Sequence, residues 1–311
     1  MSDSISRREF IKQTAGMGVA AVVGGGIVTG SGIPAGQEGS TIAVVGGGSA
    51  LKCTEKAVEL AGGMGRFVAK GARVALLPNA QSRHPGSYTN PDVVRAAVRM
   101  CRAAGAEVVD ALSWLPERFW QATGLDKVLE EEGAGLKISG REDELFKRID
   151  LPEGRALKAA HVMKSLDEYD VLIDMPIIKD HAGNKFTGTM KNLMGLNSPN
   201  CNRTFHMENW ETDPDALQHL DQCIADLNMA VKPDLCISDA TEIITTNGPF
   251  GPGKLARPGK VIVGTDRIAM DAYGTSFLGL KPEDIIMIGR GHAHGLGEMD
   301  LSKVRILEAG S

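Results

Sequence analysis

The chain has 311 residues, 42% of them hydrophobic and 23% charged, so it can bury a substantial core, and disorder over most of its length is excluded. A formal net charge of −5 without a long basic run excludes a nucleic-acid-binding surface, so any cationic site is local. Aromatic residues supply only 5% and glycine 38 positions, a balance that favours an α/β fold with many tight strand–helix turns.

In chain order, the first element is a targeting signal over residues 1–35. Ser6-Arg7-Arg8-Glu9-Phe10-Ile11-Lys12 resembles the twin-arginine export motif, and the Gly-rich apolar run Ala15–Val28 follows it. That run is shorter than the roughly 20 residues a membrane span needs. No Ala-x-Ala marks a cleavage site. Processing after Gly32 or Ala35, or retention as an uncleaved anchor, are the two alternatives. The expected partner is the twin-arginine translocase, and the expected location is periplasmic or otherwise extracytoplasmic. Disulfides are permitted there, yet the five cysteines are scattered and odd in number. No Cys-x-x-Cys is present, so no iron–sulfur ferredoxin segment or zinc ribbon is encoded. Cys101, Cys223 and Cys236 fall within apolar patterns and read as core thiols. Cys201, in the polar stretch Asn200–Arg203, reads as a candidate ligand or reactive thiol.

From Thr41 onward, strand and helix patterns alternate. Thr41–Val45 reads as a strand, followed by Gly46-Gly47-Gly48-Ser49, whose spacing fails the dinucleotide fingerprint, and a helix over Thr54–Ala61. Ala72–Pro78 is the next strand, ending at Asn79, and the polar residues Gln81, Ser82, Arg83, His84 and Tyr88 fill the loop after it. Asn90-Pro91-Asp92 caps a helix over Asp92–Ala104, and Glu107–Ala111 returns as a strand. Leu125–Glu132 reads as helix, and the region to Gly154 as an irregular polar insert. Strands are expected at Ala156–Lys164, Asp170–Ile178, Leu235–Ile244, Lys260–Thr265 and Val304–Glu308. Helices are expected at Asp213–Val231, Asp266–Leu278 and Glu283–Ile288. Apolar strands without alternation predict a mostly parallel sheet with helices on both faces. One α/β domain over 41–311 is expected, with a bilobed arrangement left open.

Four polar clusters follow apolar strands. The first runs from Lys179 to Asn192 and packs Lys179, His181, Thr187, Lys191 and Asn192 past the end of the run DVLIDMPII. Cations, hydroxyls and an amide at a strand's carboxyl end suit an anion, and a helix starting near Gly188 would add backbone donors. The bland alternative is a solvated loop holding three lysines. The second cluster, Asn202-Arg203-Thr204-Phe205-His206, offers a guanidinium fork beside an imidazole. The third is Asp239-Ala240-Thr241-Glu242 with the loop Asn247-Gly248-Pro249-Phe250-Gly251, either a shaped ligand loop or a long hairpin connection. The fourth is Asp266, a helix cap, followed by Asp271, which either points into a site or is solvated. His292 and His294 form only an isolated H-x-H.

With these residues in hand, the chain resembles the domain of unknown function 362 family, in its twin-arginine-exported branch. The carriers include Gly62-Gly63-Met64, Pro78-Asn79, Thr89-Asn90-Pro91, Pro176–His181, Thr187–Asn192, Asn202-Arg203 with His206, Ile224–Asn228, Asn247-Gly248-Pro249, Thr265-Asp266 with Asp271-Ala272-Tyr273, and Gly295–Glu298. The resemblance implies an α/β fold and no established reaction. Some relatives carry a ferredoxin-like iron–sulfur segment, which this chain lacks. Relatives usually read Lys-Pro-Asn where this chain has Leu77-Pro78-Asn79, so one anion contact would be missing here.

The expectation is therefore an exported α/β enzyme acting on an anionic substrate, a carboxylate or a phosphate. Lys179, Thr187, Lys191, Asn192, Arg203, Asn247 and Gly248 would bind the anion. His181, His206 and Asp239 would be catalytic, and Asp271 would be a ligand of a divalent metal. The alternatives are a non-catalytic anion-binding protein and an electron-transfer accessory serving a redox partner protein.

Overall fold

The computed structural model describes residues 39–207 and 213–311, and the expected signal segment lies outside them. Uniformly apolar runs leave a strand no face for water, and the central sheet is built from such runs. Its members are β1 (Thr41–Gly46), β2 (Arg73–Pro78), β3 (Val108–Ser113), β4 (Gly135–Ile138), β7 (Val171–Met175), β8 (Leu235–Ala240), β11 (Lys260–Gly264) and β12 (Arg305–Gly310). The remaining strands stand apart as two small pairs, β5 (Phe146–Asp150) with β6 (Ala159–Met163), and β9 (Ile243–Ile244) with β10 (Leu255–Ala256). The eight-stranded order is β12-β1-β11-β8-β7-β2-β3-β4. All neighbours are parallel except β11, which is antiparallel to both β1 and β8. The reason is topological. The chain leaves β8 at its carboxyl end, turns through the β9/β10 hairpin and re-enters the sheet from the same end without a crossover helix.

Helices cover both faces. On one face, α1 (Ala50–Leu60), α2 (Pro91–Ala103) and α4 (Leu125–Glu131) bury Ala57, Val94, Val98 and Leu129 against Val74, Leu76, Val109 and Ile173. The short α3 (Glu117–Thr123) precedes α4. On the other face, α5 (Thr189–Asn192), α7 (Pro214–Ala230), α8 (Arg267–Gly274) and α9 (Ile286–Ala293) pack Met190, Ile224, Ile268 and Met287 against Ala75, Leu77, Leu172 and Ile262. The strand period of two sends alternate β2 residues to the two faces, which is why Leu76 and Leu77 belong to different clusters. The helix α6 (Pro199–Phe205) lies between α5 and α7 in chain order. Residues Ser40–Ser311 form one compact unit. Among the described residues no helix is long and apolar enough to cross a membrane.

Several boundaries differ from expectation for identifiable reasons. The helix expected from Thr54 starts at Ala50, because the Ser49 side chain accepts from the Lys52 N–H. The supposed irregular insert contains β4, which adds to the sheet edge in parallel register with β3, and β5. Leu235–Ile244 is two strands, broken at Thr241-Glu242 where the hairpin departs. The helix expected at Glu283–Ile288 lies at Ile286–Ala293, preceded by a 3₁₀ turn at Pro282–Asp284. The polar stretch around Cys201 is not a loop. Ser198 caps α6 by accepting from Cys201 N at 3.0 Å, Pro199 fills the first turn, and Cys201 is buried.

Candidate functional site

The chain leaves β2 for β3 on one side and β7 for β8 on the other, so β2 and β7 flank a topological switch point. In open α/β sheets, loops that diverge at such a point are where ligands bind, outside the carboxyl ends of the strands. The first cluster begins there, just past the end of β7, and is buried. After β7, Ile177 bridges to Asp239, and Lys179 pairs antiparallel with Thr187, so Lys179–Thr187 folds back as a small hairpin. Lys179 and Thr187 exchange both backbone hydrogen bonds, which puts their side chains on the same face.

Lys179 is 0% exposed. Its Nζ donates to the Ser87 carbonyl at 2.6 Å and to Asn79 Oδ1 at 3.3 Å, both neutral acceptors in the β2–α2 loop. Among the described residues it makes no ion pair. Burial, reinforced by the like charge of Lys191, pulls its pKa down to about 7. Asn79 also donates to Asn192 Oδ1 at 3.0 Å, and Asn192 Nδ2 donates to the Leu77 carbonyl and to Asp174 Oδ1. Asp174 is wholly buried, and burial raises its pKa well above the usual carboxylate range. Among the described residues its second oxygen has no partner, and neither has the buried hydroxyl of Thr187.

Lys191, on α5, donates to Asn184 Oδ1 at 2.8 Å, and Asn184 in turn donates to Asp221 Oδ1 of α7. Burial pushes Lys191 down and Asp221 up, and each charge pulls the other back toward its ionised form. Burial and the nearby Lys191 drive His181 down to about 2, so its imidazole is neutral. Its Nδ1–H donates to the Ala182 carbonyl, which leaves the lone pair on Nε2. His206 is likewise lowered by burial and donates from Nδ1 to the Asn202 carbonyl at 3.0 Å. Lys179, Lys191, His181 and His206 thus share one electrostatic environment, with Asp221 as its carboxylate.

The structure gives the other expected residues different tasks. Both Asp271 oxygens are used at the start of α5. Oδ1 accepts from Thr189 N at 2.6 Å and Thr189 Oγ1 at 2.8 Å, and Oδ2 accepts from Met190 N at 3.0 Å. These bonds also consume the helix-terminal donors that an anion was expected to use. Asp271 thus caps the start of α5 from α8. Among the described residues no three His, Cys, Asp or Glu side chains gather as a metal site. Asp239 accepts from Asn90 N, Thr241 N and Thr241 Oγ1, where it ties the start of α2 to the end of β8. Arg203 is exposed on α6 and reaches Asn200 at 3.3 Å. Asn247, at φ 57°, donates to the Pro252 carbonyl and shapes its own loop. Gly248 spends its N–H on Asp180 Oδ2 at 2.8 Å, and an added Cβ would sit 1.7 Å from the Asp180 carbonyl oxygen. Gly248 thereby braces the Lys179 hairpin, donating to Asp180 and accepting from Ala182 N.

Asn79, Asn184 and Asp221 were missed as site residues. Asp221 had left a signal, a carboxylate between Leu220 and Ile224 on the inner face of a helix. Asn79 and Asn184 are ordinary loop amides in sequence, and only the fold brings them to the lysines.

The chain is 28% identical over 252 residues to the thylakoid-associated protein sll1697 of Synechocystis sp., covering 76% of this chain and 73% of that protein. The lactate racemase apoprotein from Thermoanaerobacterium thermosaccharolyticum matches over 77% of this chain, with a TM-score of 0.50 and 18% identity. This chain spans 57% of that chain's length, and the likeness is one of fold. Residues 74–276, which include every candidate site residue, match the family described as Domain of unknown function (DUF362), and the chain belongs to that family.

Proposed function

We propose that the protein is an enzyme that binds a small carboxylate-bearing substrate at the β2/β7 crevice and moves a proton with Lys179. The observation that carries this is the buried Lys179 amine, which rests on two neutral acceptors and makes no ion pair among the described residues. Lys191 is balanced by Asp221 through Asn184, whereas Lys179 makes no ion pair among the described residues, so a substrate anion beside it would meet an unbalanced cation. A carboxylate suits it better than a phosphate, because Asp271 occupies the backbone donors of α5 that a phosphate would use. Lys191 anchors the anion, and the unpartnered Thr187 hydroxyl orients it. Lys179, poised near pH 7, exchanges the proton. The fold likeness to an enzyme named for lactate, itself a small carboxylate, lends modest support.

Calorimetric titration with lactate and acetate tests the reading. Binding to the wild type should weaken by roughly tenfold in Lys191→Met and Lys179→Met, the loss of one charge-assisted contact. No binding by the wild type, or equal binding by both variants, would overturn it.

A second reading is a non-catalytic accessory protein that holds an anion without turning it over; a relative named for its association with thylakoids is compatible with it. It predicts the same titrations but no exchange of substrate hydrogen with deuterated water. Export by the twin-arginine pathway is part of either proposal, supported by Arg7-Arg8 and the apolar run behind them. Fractionation of the native host, with and without Arg7→Lys/Arg8→Lys, checks it.

A further inference from the structure

A cavity of about 490 Å³ opens on the outer side of the loop whose inner side holds Lys179. Its walls come from the β2–α2 connection (Arg83, His84), from α3 after β3 (Arg118, Phe119), and from the β9–β10 loop (Phe250, Gly251). It lies outside the carboxyl ends of two adjacent parallel strands, in the size range of small-molecule sites.

Three observations define what it would take. First, it is lined by two guanidiniums and an imidazole with no carboxylate among them. Among the described residues neither Arg83 nor Arg118 makes an ion pair, whereas Arg95, Arg99, Arg148 and Arg257 each meet an acid. Second, two aromatic rings sit beside those cations. Arg118 lies 5.1 Å from the Phe119 ring centroid, and Phe250 leaves 52% of its surface exposed. Third, the walls are locked together. Ser82 Oγ donates to the Phe250 carbonyl at 2.6 Å, Gly251 N donates to the Asn247 carbonyl, and a Cβ on Gly251 would come within 3.2 Å of His84. The site is pre-formed, so little ordering opposes binding.

We infer that this cavity is a binding site for an aromatic anion, a planar ring carrying a phosphate or carboxylate. Arg83 and Arg118 take the acidic group, and Phe250 with Phe119 covers the ring. The inference uses no part of the lysine network and stands or falls apart from it.

The test is titration of the full-length protein with phenyl phosphate, benzoate, inorganic phosphate and benzyl alcohol, with circular dichroism as the folding control. Phenyl phosphate and benzoate should bind, inorganic phosphate roughly tenfold more weakly than phenyl phosphate, and benzyl alcohol not measurably. Arg83→Gln/Arg118→Gln, both exposed positions, should lose roughly tenfold or more in affinity for phenyl phosphate while melting as the wild type does. Phe250→Ala should erase the preference for phenyl phosphate over inorganic phosphate. Failure of both aromatic anions at millimolar concentration overturns the inference. So does equal affinity for phenyl and inorganic phosphate, or binding that survives the double arginine substitution.

Discussion

Lys179 and Thr187 exchange both backbone hydrogen bonds, at 3.2 Å in one direction and 2.9 Å in the other. That reciprocal pair turns a polar stretch after β7 into a folded hairpin. It sets a buried, unpartnered hydroxyl next to a buried amine whose contacts are all neutral. Burying an ammonium without a counter-ion is unfavourable, and the proposed anion would relieve that conflict.

The first prediction follows from Lys179. Its folded pKa, about 7, lies below the ordinary lysine value of 10.5. Above pH 7 the unfolded chain therefore holds a proton that the folded chain has released, and stability rises with pH in that window. Below pH 7 both states are protonated and the contribution is constant. The stability of wild type relative to Lys179→Met should thus rise by up to about 1.4 kcal/mol per pH unit between pH 7 and 9. Urea unfolding at several pH values measures it, and a pH-independent difference would remove the claim that Lys179 titrates near neutrality.

Asp271 should behave as a structural cap. Removing its carboxylate orphans the Thr189 and Met190 amides and the Thr189 hydroxyl, all buried. Asp271→Ala should cost about 2–4 kcal/mol, and Asp271→Asn less, since an amide oxygen can still accept. Burial holds the carboxyl at about 6, above the unfolded value of 3.8, so Asp271 itself favours the fold as pH falls from 6 toward 3.8. A thermal melt of both variants at pH 5 and pH 7 reads the cost and its sign.

Gly248 should tolerate no side chain. The only route for a Cβ is to push the Asp180 carbonyl away, which strains the turn that carries His181. Gly248→Ala should lose on the order of 3 kcal/mol and lactate binding with it. A variant that melts and binds like the wild type would show the hairpin to be independent of this loop.

Asp221 should set the upper pH limit of anion binding. Its charge holds Lys191 protonated against burial. In Asp221→Asn the Lys191 pKa falls, so affinity for the anion should be lost at a lower pH than in the wild type. An unchanged affinity–pH profile would dissociate Asp221 from the site.

The fold was legible where the pattern was local. Asn90-Pro91-Asp92 announced α2 and Asp266 announced α8. Each cap forms the expected bond, because capping is settled within three residues. The chain missed the same kind of signal at Ser198-Pro199, hidden in a polar stretch that looked like loop. Strand β4 was unreadable because an edge strand of four residues, half of it exposed, lacks the apolar density of β7.

The site divides in the same way. Sequence alone determined that cations, hydroxyls and an amide crowd the end of a buried strand, and that family membership runs through those residues. Tertiary structure decided their partners. Asp271 and Asp239, promising as ligands by residue type, are drawn to backbone amides, and Asn79, Asn184 and Asp221 arrive from distant segments. The physical reason is that sequence shows which groups need partners, whereas burial decides which partners they get. A buried carboxylate takes the nearest unsatisfied N–H. Lys179, a buried cation whose hydrogen-bond partners are neutral, is marked as such only when the whole sheet has closed around it.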